Sequence, residues 1–279
     1  MMRTAFGKCV IYLLLAAGAV FFLVPFAWMV ITSLKGPEQA YQLTLGLKPT
    51  ELRWQNYRDA WAALPFTRFL FNTLFITVTA TVGQVFSATL VAYGFARFRF
   101  PGRRVLFVVL LSTMMIPSVV TLVPTFLLWR WVGLIDTFDP LMLGSWFGGN
   151  AFFIFLARQF FMGIPVELEE AARLEGASAM RVYWHIMLPL AKPLMLAMVL
   201  IAFVAQWNDF LGPLVFLNDF DKYTMTLGLR FFEGSFMGEA PKWHWMMAMT
   251  TLMALPVLII FFFAQRRFVE GVSLTGMKG

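Results

Sequence analysis

The chain has 279 residues, 60% of them hydrophobic and 13% charged, with a net charge of +7. A soluble domain carries roughly a quarter charged residues, so this composition excludes a water-facing globule and puts the membrane class first. The basic residues cluster beside apolar runs and form no face with interleaved aromatics, which assigns them to membrane topology and excludes nucleic acid as a partner.

A helix needs about 20 mainly apolar residues to cross the hydrocarbon. The first charge-free run, Val10–Leu34, is longer than a cleaved signal-peptide core of about 7–15 residues and reads as a span. Cys9, just before it, is the single cysteine, so no internal disulfide or multi-cysteine metal centre is available. Phe69–Ala96 and Val105–Trp129 follow, both charge-free. A fourth run, Pro140–Ala157, is shorter and interrupted by Gly144, Gly148 and Gly149. The fifth covers Pro193 to about Leu217 with one acid inside, Asp209, and the sixth covers Trp245–Ala264. The expected fold is all-α: a single polytopic transmembrane domain over residues 1–279, with six transmembrane helices. Pro25, Pro117, Pro124, Gly83 and Gly212 weaken backbone bonding within these runs. Kinked helices around a pathway and ordinary bundle packing both accommodate them.

An even number of spans puts both termini on one side. With that side cytoplasmic, segments 1–9, 97–104, 158–192 and 265–279 hold 13 basic residues, against nine in 35–68, 130–139 and 218–244. The short loop RFRFPGRR, with Arg97, Arg99, Arg103 and Arg104 and no acid, decides for inside termini. His185 and His244 then fall on opposite sides, and no metal site is expected from them.

The inner loop 158–192 contains a polar helix that interrupts the apolar pattern. Pro165 suits a first helical turn, where its missing N–H is harmless. Glu167, Glu169 and Glu170 complement the helix dipole, and Glu169 and Arg173 are spaced to pair. Gly176 supplies a C-terminal stop, after which Ser178 caps a second short helix that Pro189 ends. The first helix, Val166–Glu175, is too short to be stable alone, since isolated helices below about 12–15 residues are marginal in water. Its glutamates argue against a helix lying on anionic lipid. Leu168, Ala171, Ala172 and Glu175 follow helical spacing, and the small alanines permit close approach to a separate cytoplasmic protein that would hold the helix.

Glu170-Ala171-Ala172, three residues, Gly176, nine residues, then Ile186-x-Leu188-Pro189 resembles the signature of importer-type ABC transporter permeases at every defining position. The maltose-type, sugar-transporting group is also similar in WNDF of the fifth run, LNDFDKYTMTLGL after it and the closing RRFVEGVSLTGMKG, so the resemblance covers nearly the whole chain. It implies a coupling helix between spans four and five, seated in a cleft of a cytoplasmic ABC ATPase dimer. It also implies a second homologous permease subunit, an extracytoplasmic substrate-binding protein and a bacterial or archaeal inner or plasma membrane. By the same resemblance Glu170 is the polar anchor, Ala171 and Ala172 the close-contact face and Gly176 the turn, with Leu168 and Arg173 beside them. The tail bearing Leu274 and Lys278 is either a second ATPase contact or a disordered end. Segment 218–244 is either a binding-protein contact or a solvated connector. The 35–68 loop, with Trp54, Tyr57 and Trp61, shares that role or anchors rings at the headgroups.

No phosphate-cradling G-x-x-x-x-G-K-[ST] occurs, so the chain is not expected to be an enzyme or to bind a cofactor, and ATP hydrolysis is left to a partner. Asp209 within an apolar run is costly and points to a buried functional position. With Trp207 and Asn208 it forms an aromatic-polar cluster suited to a sugar, and equally to a gate or an interhelical bond. Gln206, Asn72 and Gln84 are weaker candidates of the same sort. An ATP-independent secondary transporter is the rival reading, but it calls for intramembrane charge pairs or inverted repeats that the sequence lacks. A membrane enzyme finds no H-E-x-x-H and no nucleophile beside a histidine. Within the ABC class, glycerol 3-phosphate and polyamine remain alternatives to a sugar.

Overall fold

The computed structural model describes residues 5–41, 49–234 and 240–275, with side chains over 7–41, 49–234 and 240–263, and every regular element among them is helical. In chain order these are α1 (Ala5–Ser33), α2 (Pro37–Tyr41), α3 (Gln55–Ala63), α4 (Phe66–Arg97), α5 (Arg103–Ser112), α6 (Ser118–Val132), α7 (Asp139–Trp146) and α8 (Ala151–Met162). There follow α9 (Val166–Leu174), α10 (Ala179–Val182), a π-helical turn over Tyr183–Met187, α11 (Leu188–Leu190), α12 (Lys192–Trp207), α13 (Leu211–Phe216), α14 (Met225–Arg230) and α15 (Trp243–Thr275).

Four helical stretches are long and apolar enough to cross a membrane: Gly7–Ser33, Phe66–Arg97, Asp139–Met162 and Trp243–Phe263. Two bent pairs, Arg103–Met115 with Ser118–Val132 and Ala179–Leu190 with Lys192–Trp207, raise the number to as many as six. The bends correct three expected boundaries. The third run turns by 103° at Pro117, because Ile116 is driven to an extended ψ of 117° by the proline that follows it. Pro124, by contrast, lies inside α6. The expected second loop helix does not end at Pro189, which sits in the first turn of α11, and the 78° bend follows Leu190. The fifth run is not one helix to Leu217, since α12 stops at Trp207 and α13 starts at Leu211.

The chain divides into two compact units, Met1–Thr67 with Gly228–Pro256, and Arg68–Leu227 with Val257–Gly279. In the first, the apolar window of α1 buries none of its residues, a surface that lipid or another protein must cover. The far end of α1 is fastened: Asn56 on α3 donates from Nδ2 to the carbonyls of Ser33 (2.7 Å) and Lys35 (2.8 Å), satisfying acceptors that a helix end leaves open.

In the second unit α4 is the central element, with half of its apolar window buried. Val85, Ala88, Ala92 and Tyr93 of α4 pack with Phe153, Ile154, Ala157 and Phe161 of α8 and with Met198 and Ala202 of α12. Five alanines in this cluster (88, 92, 157, 191 and 202) let the backbones approach closely, the usual means of helix association in lipid. Gly149 serves the same end between α7 and α8, where a Cβ would lie 2.3 Å from the carbonyl oxygen of Gly144. Asn150 then caps α8, its Oδ1 accepting from Phe153 N at 3.1 Å.

Candidate functional site

The polar helix α9 begins after Pro165 and ends one residue short of the expected Glu175, which takes the C-cap position. Gly176 follows with φ +83°, and Ala177 N donates to Ala172 O at 2.9 Å, the six-to-one bond that closes a glycine-terminated helix. Ser178 Oγ then accepts from Arg181 N at 3.3 Å and caps α10.

The expectation that α9 lacks support within its own chain is corrected by Glu169. This carboxylate is buried, and its Oε1 lies 2.5 Å from Arg173 Nη2, one turn along. Its Oε2 lies 3.3 Å from Arg97 Nε at the C-terminal end of α4. Tyr93 Oη, one turn earlier on α4, sits 3.4 Å from Glu169 Oε1 and 3.2 Å from Ala179 O. Arg97 also donates from Nη2 to Ile164 O at 2.7 Å, which fixes the entry to α9. Ala172 and Ala177 pack on the buried cluster of the second unit. A short helix with two cationic partners on one buried carboxylate is thereby joined to α4 as well as to the elements before and after it.

The residue types that remain on the outside of α9 differ from those inside. Glu170 and Ala171 are exposed, Leu168 is 46% exposed and Leu174 is 91% exposed. Val166 is also exposed, giving an apolar and acidic outer face beside a cavity of about 340 Å³ lined by Arg97, Arg99, Arg103, Glu169, Glu170 and Arg173. Of the expected contact face, then, Leu168 and Ala171 point outward while Ala172 is half-buried and packs inward. Gly176 is exposed, and a Cβ there would meet nothing within 4 Å. Lys278 lies outside the described residues, as does the side chain of Leu274.

At the other candidate region the three residues of the WND triplet separate. Trp207 is fully buried and stacks on Phe203, centroids 5.5 Å apart and planes at 14°. It belongs to the packing of α12 and presents no ring face to an aqueous solute. Asn208 is exposed, with its Nδ2 donating to Val204 O at 2.9 Å. Asp209 sits in the break between α12 and α13, not at a helix centre. Its Oδ1 accepts from Gly212 N at 3.1 Å, and its backbone carbonyl accepts from Thr226 Oγ1 at 2.7 Å. The Asp209 carboxylate packs directly on Gly212, where a Cβ would lie 2.4 Å from Oδ2 and would force that side chain to shift. Gln206 is half-buried one residue before Trp207, and Gln84 is half-buried on α4. Asn72 is engaged within the chain, its Nδ2 donating to the carbonyls of Asp221 (2.9 Å) and Tyr223 (3.0 Å).

Asn72 is one of several groups that organise the segment after α13. Thr73 Oγ1 accepts from Met225 N at 2.9 Å, and Arg68 pairs with Asp221. Asp136, with φ +62°, accepts at Oδ1 from the backbone N–H of Asn218 and of Asp219, both at 2.9 Å, and at Oδ2 from Lys222 Nζ at 2.8 Å. Burial pushes the Asp136 carboxyl up, but the bonds from Asp219 N–H, Lys222 and Asn218 N–H outweigh it and hold the group below the usual carboxylate range. Sequence reasoning missed Asp136, Tyr93 and Arg97 as partners in these sites. The one available signal was that the ten-residue loop 130–139 carries two acids, Asp136 and Asp139, and the segment after the fifth run carries a lysine.

Residues 84–274 match the family described as "Binding-protein-dependent transport system inner membrane component". The chain is 33% identical over 267 residues to the sn-glycerol-3-phosphate transport system permease protein of Yersinia enterocolitica, with 94% of each chain covered. It is 30% identical over 260 residues to the diacetylchitobiose uptake system permease protein of Streptomyces coelicolor, covering 93% of this chain and 85% of that one. A chain of a bacterial ABC transporter involved in the import of the acidic polysaccharide alginate superposes with a TM-score of 0.80 at 26% identity, covering 96% of this chain and 99% of that one.

Proposed function

Because the chain belongs to the family of binding-protein-dependent transport system inner membrane components, we propose that it is the permease subunit of an ATP-driven ABC importer. It forms half of the translocation pathway for a sugar or a related polar solute, with glycerol 3-phosphate the nearest alternative. It is a multi-pass protein of the bacterial inner membrane. Six spans, a single transmembrane domain and cytoplasmic termini complete the reading, supported by the six apolar stretches and the arginines around 97–104.

In this reading α9 is the coupling helix and a separate ATPase dimer is its partner. The observation that carries it is the division of α9 into two faces. Glu169 is turned inward onto Arg97 and Arg173, while Leu168, Glu170, Ala171 and Leu174 are left exposed among the described residues. Closure of the ATPase dimer displaces α9, and the Glu169–Arg97 pair delivers that displacement to α4. The packing of Ala172 and Ala177 delivers it to the helices around the buried cluster. The carboxylate thereby adds α4 to the helices before and after α9 that receive the motion.

A homologous second permease completes the pathway, and an extracytoplasmic binding protein delivers solute. The segment 216–225, held in shape by Asp136, Asn72 and Thr73, supports a preformed docking surface for that protein. Solute contact in this subunit falls to Asn208, Gln206 and the Oδ2 side of Asp209, Trp207 supporting them from behind. The test is uptake of labelled solute into sealed vesicles that contain this chain, the second permease and the ATPase, with binding protein outside. Uptake that requires ATP and all four proteins supports the reading, and uptake by this chain alone removes it.

A further inference from the structure

A second cavity, of about 370 Å³, is lined by Arg103, Arg104, Phe107, Val108 and Arg158. Its three cations come from two helices. Arg103 and Arg104 open α5, and Arg158 lies one turn before the end of α8, within the apolar stretch Asp139–Met162. The Arg158 guanidinium lies over the Phe107 ring, its Cζ 4.2 Å from the centroid, and its Nε donates to Phe95 O at 3.4 Å. Arg103 donates from Nη1 to Phe98 O at 3.0 Å. These bonds reach carbonyls only. Among the described residues, none of the ion pairs involves Arg103, Arg104 or Arg158.

Three guanidinium groups that share one cavity without a carboxylate repel one another, and Arg158 does so at the edge of an apolar span, where an uncompensated charge is costly. An anion supplied from outside the chain relieves both. The rest of the lining indicates its kind. Phe107 and Val108 are apolar, α5 buries no residue of its own, and Val105, Leu106, Val108 and Val109 are all more than half exposed. A soluble anion gains nothing from such a wall, whereas a phospholipid places its acyl chains along α5 and its phosphate among the arginines. The N-terminus of α5, which is ten residues long, adds its dipole to the same attraction.

We propose that Arg103, Arg104 and Arg158 hold the phosphodiester of an anionic phospholipid against α5. The proposal rests on the membrane placement of the chain and is independent of which solute it carries. Planar guanidinium groups suit a phosphodiester because each presents two parallel N–H donors to its oxygens. The lipid neutralises the end of α8 and lies beside the loop whose Arg97 holds Glu169.

The test is native mass spectrometry of the full-length chain, in its complex, after exchange into detergent containing equal phosphatidylglycerol and phosphatidylcholine. Arg104 is exposed, so Arg104→Gln removes one cation without touching the buried cluster. Wild type retains phosphatidylglycerol preferentially, and Arg104→Gln weakens retention roughly fivefold, with Arg103→Gln in addition weakening it roughly fivefold again. A soluble glycerophosphate headgroup in excess leaves the bound lipid in place. Equal retention of the two lipids, retention unchanged in the double variant, or displacement by the soluble headgroup overturns the proposal. Since the readout is bound lipid, loss of solute uptake in the same preparation bears on the transport reading alone.

Discussion

Glu169 and Arg97 meet across 72 positions of chain, Oε2 to Nε at 3.3 Å, with side chains only 6% and 10% exposed. Removing one member of such a pair strands the other charge, and the usual cost is about 3–5 kcal/mol. The pair joins the polar helix to the end of the central helix, so its loss has a mechanical consequence as well as an energetic one.

Glu169→Gln keeps the volume and one acceptor but removes the charge. The expected result is that the assembled complex still hydrolyses ATP while solute uptake per ATP falls by an order of magnitude, on the basis that about 1.4 kcal/mol of lost coupling is tenfold. Paired rates of hydrolysis and uptake in vesicles check it. The reciprocal exchange, Glu169→Arg with Arg97→Glu, is expected to recover part of the loss, which a merely destabilising substitution would not do.

Gly176 is a backbone requirement, since φ is +83° and open space surrounds the missing side chain. Gly176→Val is expected to cost about 1–2 kcal/mol through left-handed strain, whereas Gly176→Asn costs less, because asparagine visits that region readily. Thermal unfolding of the two variants ranks them. If bulk at an ATPase contact were the cause instead, both substitutions would impair coupling equally.

Asp136 gives the 216–225 segment a pH dependence of known sign. Its carboxyl is held below the ordinary value of about 3.9, so the charged form contributes stability at pH above that value. That contribution is lost as pH falls through the lowered value. Asp136→Asn tolerates the positive φ and isolates the charge. The variant is expected to be less stable than wild type at neutral pH, with the difference shrinking in acid. Protection of the 216–225 amides from hydrogen exchange measures it.

Variants at Trp207 and Asn208 separate packing from the proposed solute contact. Trp207→Ala opens a cavity in a fully buried site, with an expected loss of about 3–5 kcal/mol in stability. Asn208→Ala is exposed and is expected to leave stability unchanged while raising the KM for uptake severalfold. Unfolding midpoints and uptake kinetics on the same preparations distinguish the two roles.

The polar helix was legible because its limits are local: Pro165 before it, Gly176 after it and acids in its first turn are properties of adjacent residues. Which glutamate turns inward was not. Glu169 and Glu170 differ by one position on the helix, and the choice is made by Tyr93 and Arg97, more than 70 positions away in the chain. The same holds for the prolines. Pro117 breaks its run, while Pro25, Pro124 and Pro256 lie inside continuous helices, so neighbouring structure rather than residue type decides. The WND triplet left several roles open for a related reason. Adjacent residues at a helix end face different surroundings, so Trp207 is buried while Asn208 is exposed.

The central claim, that α9 seats in a separate ATPase, is tested most directly at Leu174, which is 91% exposed on its outer face. A heterobifunctional reagent, thiol-reactive at one end and photoreactive at the other, is applied to the assembled complex carrying Leu174→Cys in a Cys9→Ser background. The account predicts a covalent product joining this chain to the ATPase subunit. Absence of that product, together with modification of Leu174→Cys by an impermeant thiol reagent added outside intact cells, would contradict it.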